Sequence, residues 1–197
     1  MKNSPAVYGG SGGALSPQGV DEIHEAGSQI RALGVCWHSI RCAPRMQCEE
    51  SGSQLALQLG VPCATDGTLE PIFLGVIDGL TEEEVELRYP KTAKEMRRWR
   101  NGLANISEVR IPRAEPASSF LQRGRRIVAE IEQRRENVIL VGTRSIIVLL
   151  ANIFASNDGD KLGGYREIVW PPAGILVFHH PNDRFTLNAP ASTVCLK

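Results

Sequence analysis

The chain has 197 residues, 42% hydrophobic and 22% charged, enough to bury one sizeable core and too few for a second full domain, so residues 1–197 are read as a single domain. Lysine plus arginine (22) equals aspartate plus glutamate (22), so no bulk charge draws it toward nucleic acid or a membrane, and neither is expected as a partner. The five cysteines (Cys36, Cys42, Cys48, Cys63, Cys195) are odd in number, form no C-x-x-C pair and lack zinc spacing; with no apolar signal core after Met1 and no run of about eighteen apolar residues, a cytoplasmic location with reduced thiols and no metal is expected.

Ala6-Val7-Tyr8 is a short β-prone run that ends in Gly9-Gly10-Ser11-Gly12-Gly13, so a strand followed by a flexible loop is predicted. After Ser16-Pro17, the positions of Val20, Ile23, Ile30 and Leu33 have a roughly helical period, with Gly34 beyond. They predict a helix over about 17–33, with proline in its first turn. Val35 to Ser39 reads as a buried strand, and Gln47 to Leu59 as a second helix that stops at Gly60 before Pro62. Glu82 to Tyr89 and Ala93 to Arg100 are short, charged helical stretches, and Ile111 to Ser118 is a Pro/Ala/Ser segment with little periodicity. Residues 82–118 are therefore read as a helical excursion from the core.

Leu121, Gly124, Ile127, Val128 and Ile131 form a helical stripe within residues 120–135, and Asn137 to Val141 is an apolar run suited to a central parallel strand. A helix restarts over Ser145 to Phe154. Gly174 to Phe178 and Arg184 to Leu187 flank the turn signal Pro181-Asn182-Asp183, which predicts a closing hairpin. Alternating β and α units imply an α/β fold, a three-layer α/β/α sandwich with a mainly parallel central sheet.

Four segments in this order resemble the histidine phosphatase superfamily (phosphoglycerate-mutase-like). Leu15 to Gly19 followed by Ala32-Leu33-Gly34 is similar to the family's first helix, "L-T-x-x-G…A-L-G". Pro44, Cys48, Ala56 and Leu59-Gly60 lie ungapped on "S-S-P-x-x-R-C-x-Q-T-A…A-x-x-L-G". Leu69-Glu70-Pro71-Ile72 through Gly75 and Asp78-Gly79-Leu80-Thr81, followed by Arg88-Tyr89-Pro90, resembles "L-x-E…G-x-x-E-G-L-T…R-Y-P", and Val138 to Ala151 resembles the strand, loop and helix of "V-x-V-S-H-G-G-x-I-R-x-L-L". In that family the histidine of a strand-one "R-H-G" accepts the phosphoryl group, two arginines and a second histidine hold the phosphate, and a carboxylate serves as acid. Such chemistry rests on in-line positioning and on cations that neutralise the equatorial oxygens.

Carried over position by position, "R-H-G" reads Tyr8-Gly9-Gly10, so the nucleophile aligns with Gly9 and its arginine with Tyr8. The second arginine aligns with Gln47, the acid with Pro71 and the second histidine with Thr143. The loop from Gly10 to Ala14 is also shorter than the family's usual substrate-contacting loop. A shifted loop would put Arg45 or Arg41 in place of the second arginine, and Arg144 would supply a cation one residue late. No shift brings one of the four histidines (His24, His38, His179, His180) to strand one.

Among the other candidates, Thr143 or Ser145 is expected to cap the helix after Gly142, with a retained anion site at its N–H groups as the alternative. The glycine run lacks the G-K-[ST] ending of a nucleotide loop and misses G-x-G-x-x-G, because Leu15 occupies the third glycine. The histidines have no ligand partner in view, and the basic stretches 91–100 and 123–126 read as solvated helix faces. The resemblance thus implies a pseudophosphatase that needs no cofactor, a binding or regulatory module for a phosphorylated small molecule or protein partner, with Tyr8, Gly9, Gln47, Thr143 and Arg144 at the cleft. The alternative is an enzyme repurposed for other chemistry in that cleft. A residual phosphatase would need Cys42 or Cys48 as nucleophile, and neither starts a C-x5-R motif.

Overall fold

In the computed structural model, which describes residues 7–9, 12–101, 103–104, 108–156, 173–175 and 177, the sheet comes from three short segments. These are β1 (Ser39–Cys42), β2 (Cys63–Thr65) and β3 (Val138–Val141), parallel throughout and ordered β2-β1-β3. Ile40 is registered with Cys63 on one side and Ile139 on the other, and Cys42 with Thr65 and Val141. Because side chains alternate across a strand, Ile40, Cys42, Ile139 and Val141 share one face, while Arg41 and Leu140 share the other.

The first face is covered by α1 (Pro17–Ala32) and α2 (Met46–Leu59). α1 starts where Ser16 accepts a hydrogen bond from Gly19 N (3.1 Å) and Pro17 occupies the first turn, and it buries Ile23, Ala26, Gly27 and Ile30 on a single stripe. Ile23 and Ile30 pack with Leu55, Ile40 and Ile139. The opposite face is covered by α5 (Ala117–Arg134) and α6 (Arg144–Ser156), whose Phe120, Ile127, Leu149 and Ile153 form a second cluster that Leu140 joins. The chain is therefore a three-layer α/β/α sandwich, as its alternating elements predict.

The excursion contains α3 (Glu82–Arg88) and α4 (Pro90–Arg100), which carry a third cluster of Ile77, Val85, Ala93 and Met96. α3 opens with a capping box: Thr81 Oγ1 accepts from Glu84 N (3.2 Å), and Glu84 accepts from Thr81 N (2.9 Å).

Three strand expectations change. Val7 makes only an isolated antiparallel bridge to Thr81, and Tyr8 packs in the third cluster, so the first β-prone run belongs with the excursion and not with the sheet among the described residues. The strand predicted over 35–39 lies at Ser39–Cys42. Residues 36–38 are instead tied to Asn137, whose side chain donates to Cys36 O (2.9 Å) and whose N–H donates to His38 Nδ1 (3.0 Å). Of the closing hairpin, residues 174, 175 and 177 carry no strand, and residues 176 and 178–187 lie outside the described residues, as do His179 and His180.

Candidate functional site

In α/β sheets, ligand sites gather beyond the carboxyl ends of the strands. Here β1 runs through Ala43-Pro44-Arg45 into α2, β2 turns at Asp66, and β3 passes through Gly142-Thr143 into α6. Backbone bonds hold the three turns together, from Ala43 N to Val141 O and from Asp66 N to Cys42 O, both 2.8 Å.

The two arginines that a shifted loop would offer are each committed to carboxylates. Arg41 donates to Asp66 (2.6 Å) and reaches Glu130 on α5 at 3.5 Å. Arg45, just before α2, is ion-paired with Glu70 through Oε1, while Glu70 Oε2 is buried without a hydrogen-bond partner. Arg123 of α5 fixes this turn from below by donating to Thr68 O (2.8 Å), to Glu70 O and to both carboxylate oxygens of Glu115. Burial pushes the Asp66 carboxyl up, but hydrogen bonds from the Thr68 side chain and backbone and the Arg41 guanidinium outweigh it, and the net shift is downward.

The glycine loop crosses the first turn of α2. A Cβ on Gly12 would lie 2.7 Å from Gln47 Oε1, and Leu15 N donates to Glu50 Oε2 (2.6 Å), so Gln47 does meet this loop. Gly9 has φ 60°, in the left-handed region, and a Cβ there would overlap the Asp78 carboxylate. Tyr8 lies next to it with 8% exposure, in the core with Ile77 and Met96. Its N–H donates to Leu80 O (2.8 Å) and its carbonyl accepts from Gly79 N (2.6 Å), which clamps the segment onto the 78–80 turn.

Thr143 precedes α6, but its hydroxyl is buried and makes no hydrogen bond, so it does not cap the helix; Arg144 is the exposed first residue of α6, and Ser145 lies inside it. Pro71 is buried. Sequence reasoning missed Asp78 and the Arg45–Glu70 pair. Asp78 stood in the framework stretch Asp78-Gly79-Leu80-Thr81, and Glu70 stands one residue before the position matched to the acid.

Cys48 is buried beside Arg45 and Glu70. Burial first, and then Cys42, push its thiol up to about 11 against the pull of Arg45, so at neutral pH it is a protonated thiol and a poor nucleophile. Cys42 is 2% exposed. Neither has the electropositive, open surroundings of a cysteine nucleophile. Among the described residues, no three His, Cys, Asp or Glu side chains are grouped to hold a metal ion, and no helix is long and apolar enough to cross a membrane.

A parallel sheet between two helical layers, with polar turns at its carboxyl end, places the chain in the α/β sandwich class. Within that class, the chain belongs to the histidine phosphatase superfamily (branch 1), whose family model matches residues 2–193. The structure is similar to the alpha-ribazole phosphatase of Shigella flexneri, with a TM-score of 0.72 at 14% identity, over 95% of this chain and 89% of that one. It is also similar to YhfR of Bacillus stearothermophilus (TM-score 0.71, 17% identity, 89% and 83% covered). A third neighbour is a mycobacterial glucosyl-3-phosphoglycerate phosphatase (TM-score 0.68, 17% identity, 89% and 86% covered). At such identities these likenesses define the fold. No curated protein matches the chain in sequence.

Proposed function

We propose that this chain is a pseudophosphatase, a histidine-phosphatase scaffold that serves as a cytoplasmic binding or regulatory module for a phosphorylated small molecule or protein partner. One observation carries the reading. The position matched to the nucleophilic histidine is Gly9, in a left-handed conformation, with the Asp78 carboxylate in the space a side chain there would need. A negative charge at that point opposes an incoming phosphate, and Arg41 and Arg45 at the end of β1 are neutralised by Asp66, Glu130 and Glu70. Inorganic phosphate alone therefore binds weakly, and affinity for a phosphorylated ligand comes from the rest of the ligand.

The test is turnover of an aryl phosphate by the purified protein beside Gly9→His, Thr143→His and the double variant. No turnover is expected in any of the four, because a histidine at position 9 brings backbone strain of about 1–3 kcal/mol and must displace Asp78 before it reaches a phosphate. Turnover that copurifies with the wild-type protein overturns the reading.

A further inference from the structure

Cys42 on β1 and Cys63 on β2 face each other across the sheet, with their sulfurs 3.8 Å apart. Both sulfurs lie against α2 at Gly52, which has no side chain to press on them. A Cβ on Gly52 would lie 2.9 Å from the Cys63 sulfur and 3.4 Å from the Cys42 sulfur. Cys42 is almost fully buried, while Cys63 is partly exposed on a strand that lies at the edge of the sheet among the described residues. The pair thus joins a buried cysteine to a partly exposed one at the sheet edge.

A direct disulfide does not suit this pair. Cys42 is registered with Thr65 and Cys63 with Ile40, so the two cysteines are offset by two residues on neighbouring strands. Strand rise and spacing put their Cα atoms roughly 8 Å apart, beyond the ~7 Å limit for a bridge without backbone movement. The 3.8 Å separation instead matches the span of one atom bonded to both sulfurs. A bridging atom with bonds close to the ~2.3 Å of a zinc–thiolate contact, and an angle near 100°, spans about 3.5 Å between sulfurs. A tetrahedral zinc centre would require further protein ligands, and among the described residues none completes one.

We propose that Cys42 and Cys63 form a two-thiol clamp for a soft thiophile that takes two sulfur ligands, of the class of monosubstituted trivalent arsenicals. With an aryl arsenoxide, both S–H bonds and the arsenic–oxygen bond break and two arsenic–sulfur bonds form. The oxygen leaves as water with the two thiol protons. Arsenic stays trivalent and no electrons are transferred. Burial and the bond with Cys42 push the Cys63 thiol up to about 11, so the bridge forms faster as pH rises.

Phenylarsine oxide added to the whole chain tests this. The expected result is one equivalent bound, released by a dithiol but not by a monothiol, with peptide mapping that joins the Cys42 and Cys63 peptides through arsenic. Cys63→Ser keeps the side-chain volume and should lose affinity by about 100-fold or more, the usual worth of a second intramolecular attachment, whereas Cys36→Ser should bind as the wild type does. Arsenic bridging any other pair, or bound equally well by Cys63→Ser, overturns the proposal. The wild-type peptide map decides even if a variant does not fold.

Discussion

Asp66 shows how a single residue near the site is held, and how it can be probed. Its carboxylate is 15% exposed, accepts from Thr68 N (2.8 Å) and Thr68 Oγ1 (2.6 Å), and pairs with Arg41. These partners favour the charged form, so its folded-state titration lies below the ordinary value. A depressed carboxyl contributes stability above its unfolded pKa, near 4, and loses it as pH falls through that value toward the folded one. Asp66→Asn should therefore cost about 1–2 kcal/mol at pH 7, less than a fully buried pair, and the gap from wild type should shrink as pH drops below 4. Urea unfolding of both proteins at pH 7, 5 and 3 measures this, and a gap that does not depend on pH would remove the charge from the explanation. Arg41 also explains why β1 was misplaced from sequence. A charged residue in the middle of the four-residue strand Ser-Ile-Arg-Cys breaks the apolar run, and only the folded chain shows that Asp66 and Glu130 neutralise it. That Gly9 stands at the position matched to the nucleophile was legible, because it is a matter of residue type at a matched position. Asp78 beside it was not, because φ at residue 9 and the path of the 78–80 turn are tertiary facts.

At the scale of elements, the helices and β3 were legible, and β1 and β2 were not. α1, α2 and α5 carry apolar stripes over three or more turns, and Ser16-Pro17 before α1 and Gly60 after α2 mark ends that agree with the period. β2 is three residues, Cys-Ala-Thr, with no alternation to read, and its existence depends on pairing with β1. The α5–α6 contact shows what a periodic stripe leaves out. Gly124 lies in the buried face of α5, where a Cβ would be 2.7 Å from Ile153 Cδ1 and 2.8 Å from Leu149 Cδ2, so these helices approach as closely as they do because residue 124 has no side chain. Gly124→Val should force them apart at a cost of about 1–3 kcal/mol, lowering the melting temperature by roughly 2–4 °C per kcal/mol in a chain of this size. A thermal melt that equals the wild type would mean the contact is loose and that the close approach does not stabilise the sandwich.

Across the whole molecule, hydrophobic burial is divided between the sandwich and the excursion. Ile40, Ile127 and Leu149 belong to the clusters on the two faces of the sheet, while Tyr8, Ile77, Val85, Ala93 and Met96 form their own cluster under α3 and α4. The segment matched to the family's nucleophile strand is carried by the second group, through the bridge from Val7 to Thr81 and the bonds between Tyr8 and the 79–80 backbone. Regions with separate cores open with separate free energies. Met96 is 2% exposed, so Met96→Ala leaves a cavity in the excursion at a cost of about 2–5 kcal/mol without touching the sheet. Native-state hydrogen exchange should then show faster exchange at Tyr8, Leu80, Val85 and Ala93, with Ile40 and Ile139 nearly unchanged. Equal loss of protection in both groups would mean that the excursion and the sandwich unfold as one unit. Selective loss would mean that the position matched to the nucleophile is governed by the packing of the excursion, so that placing a histidine on this segment would require repacking Met96 and its neighbours as well as replacing Gly9.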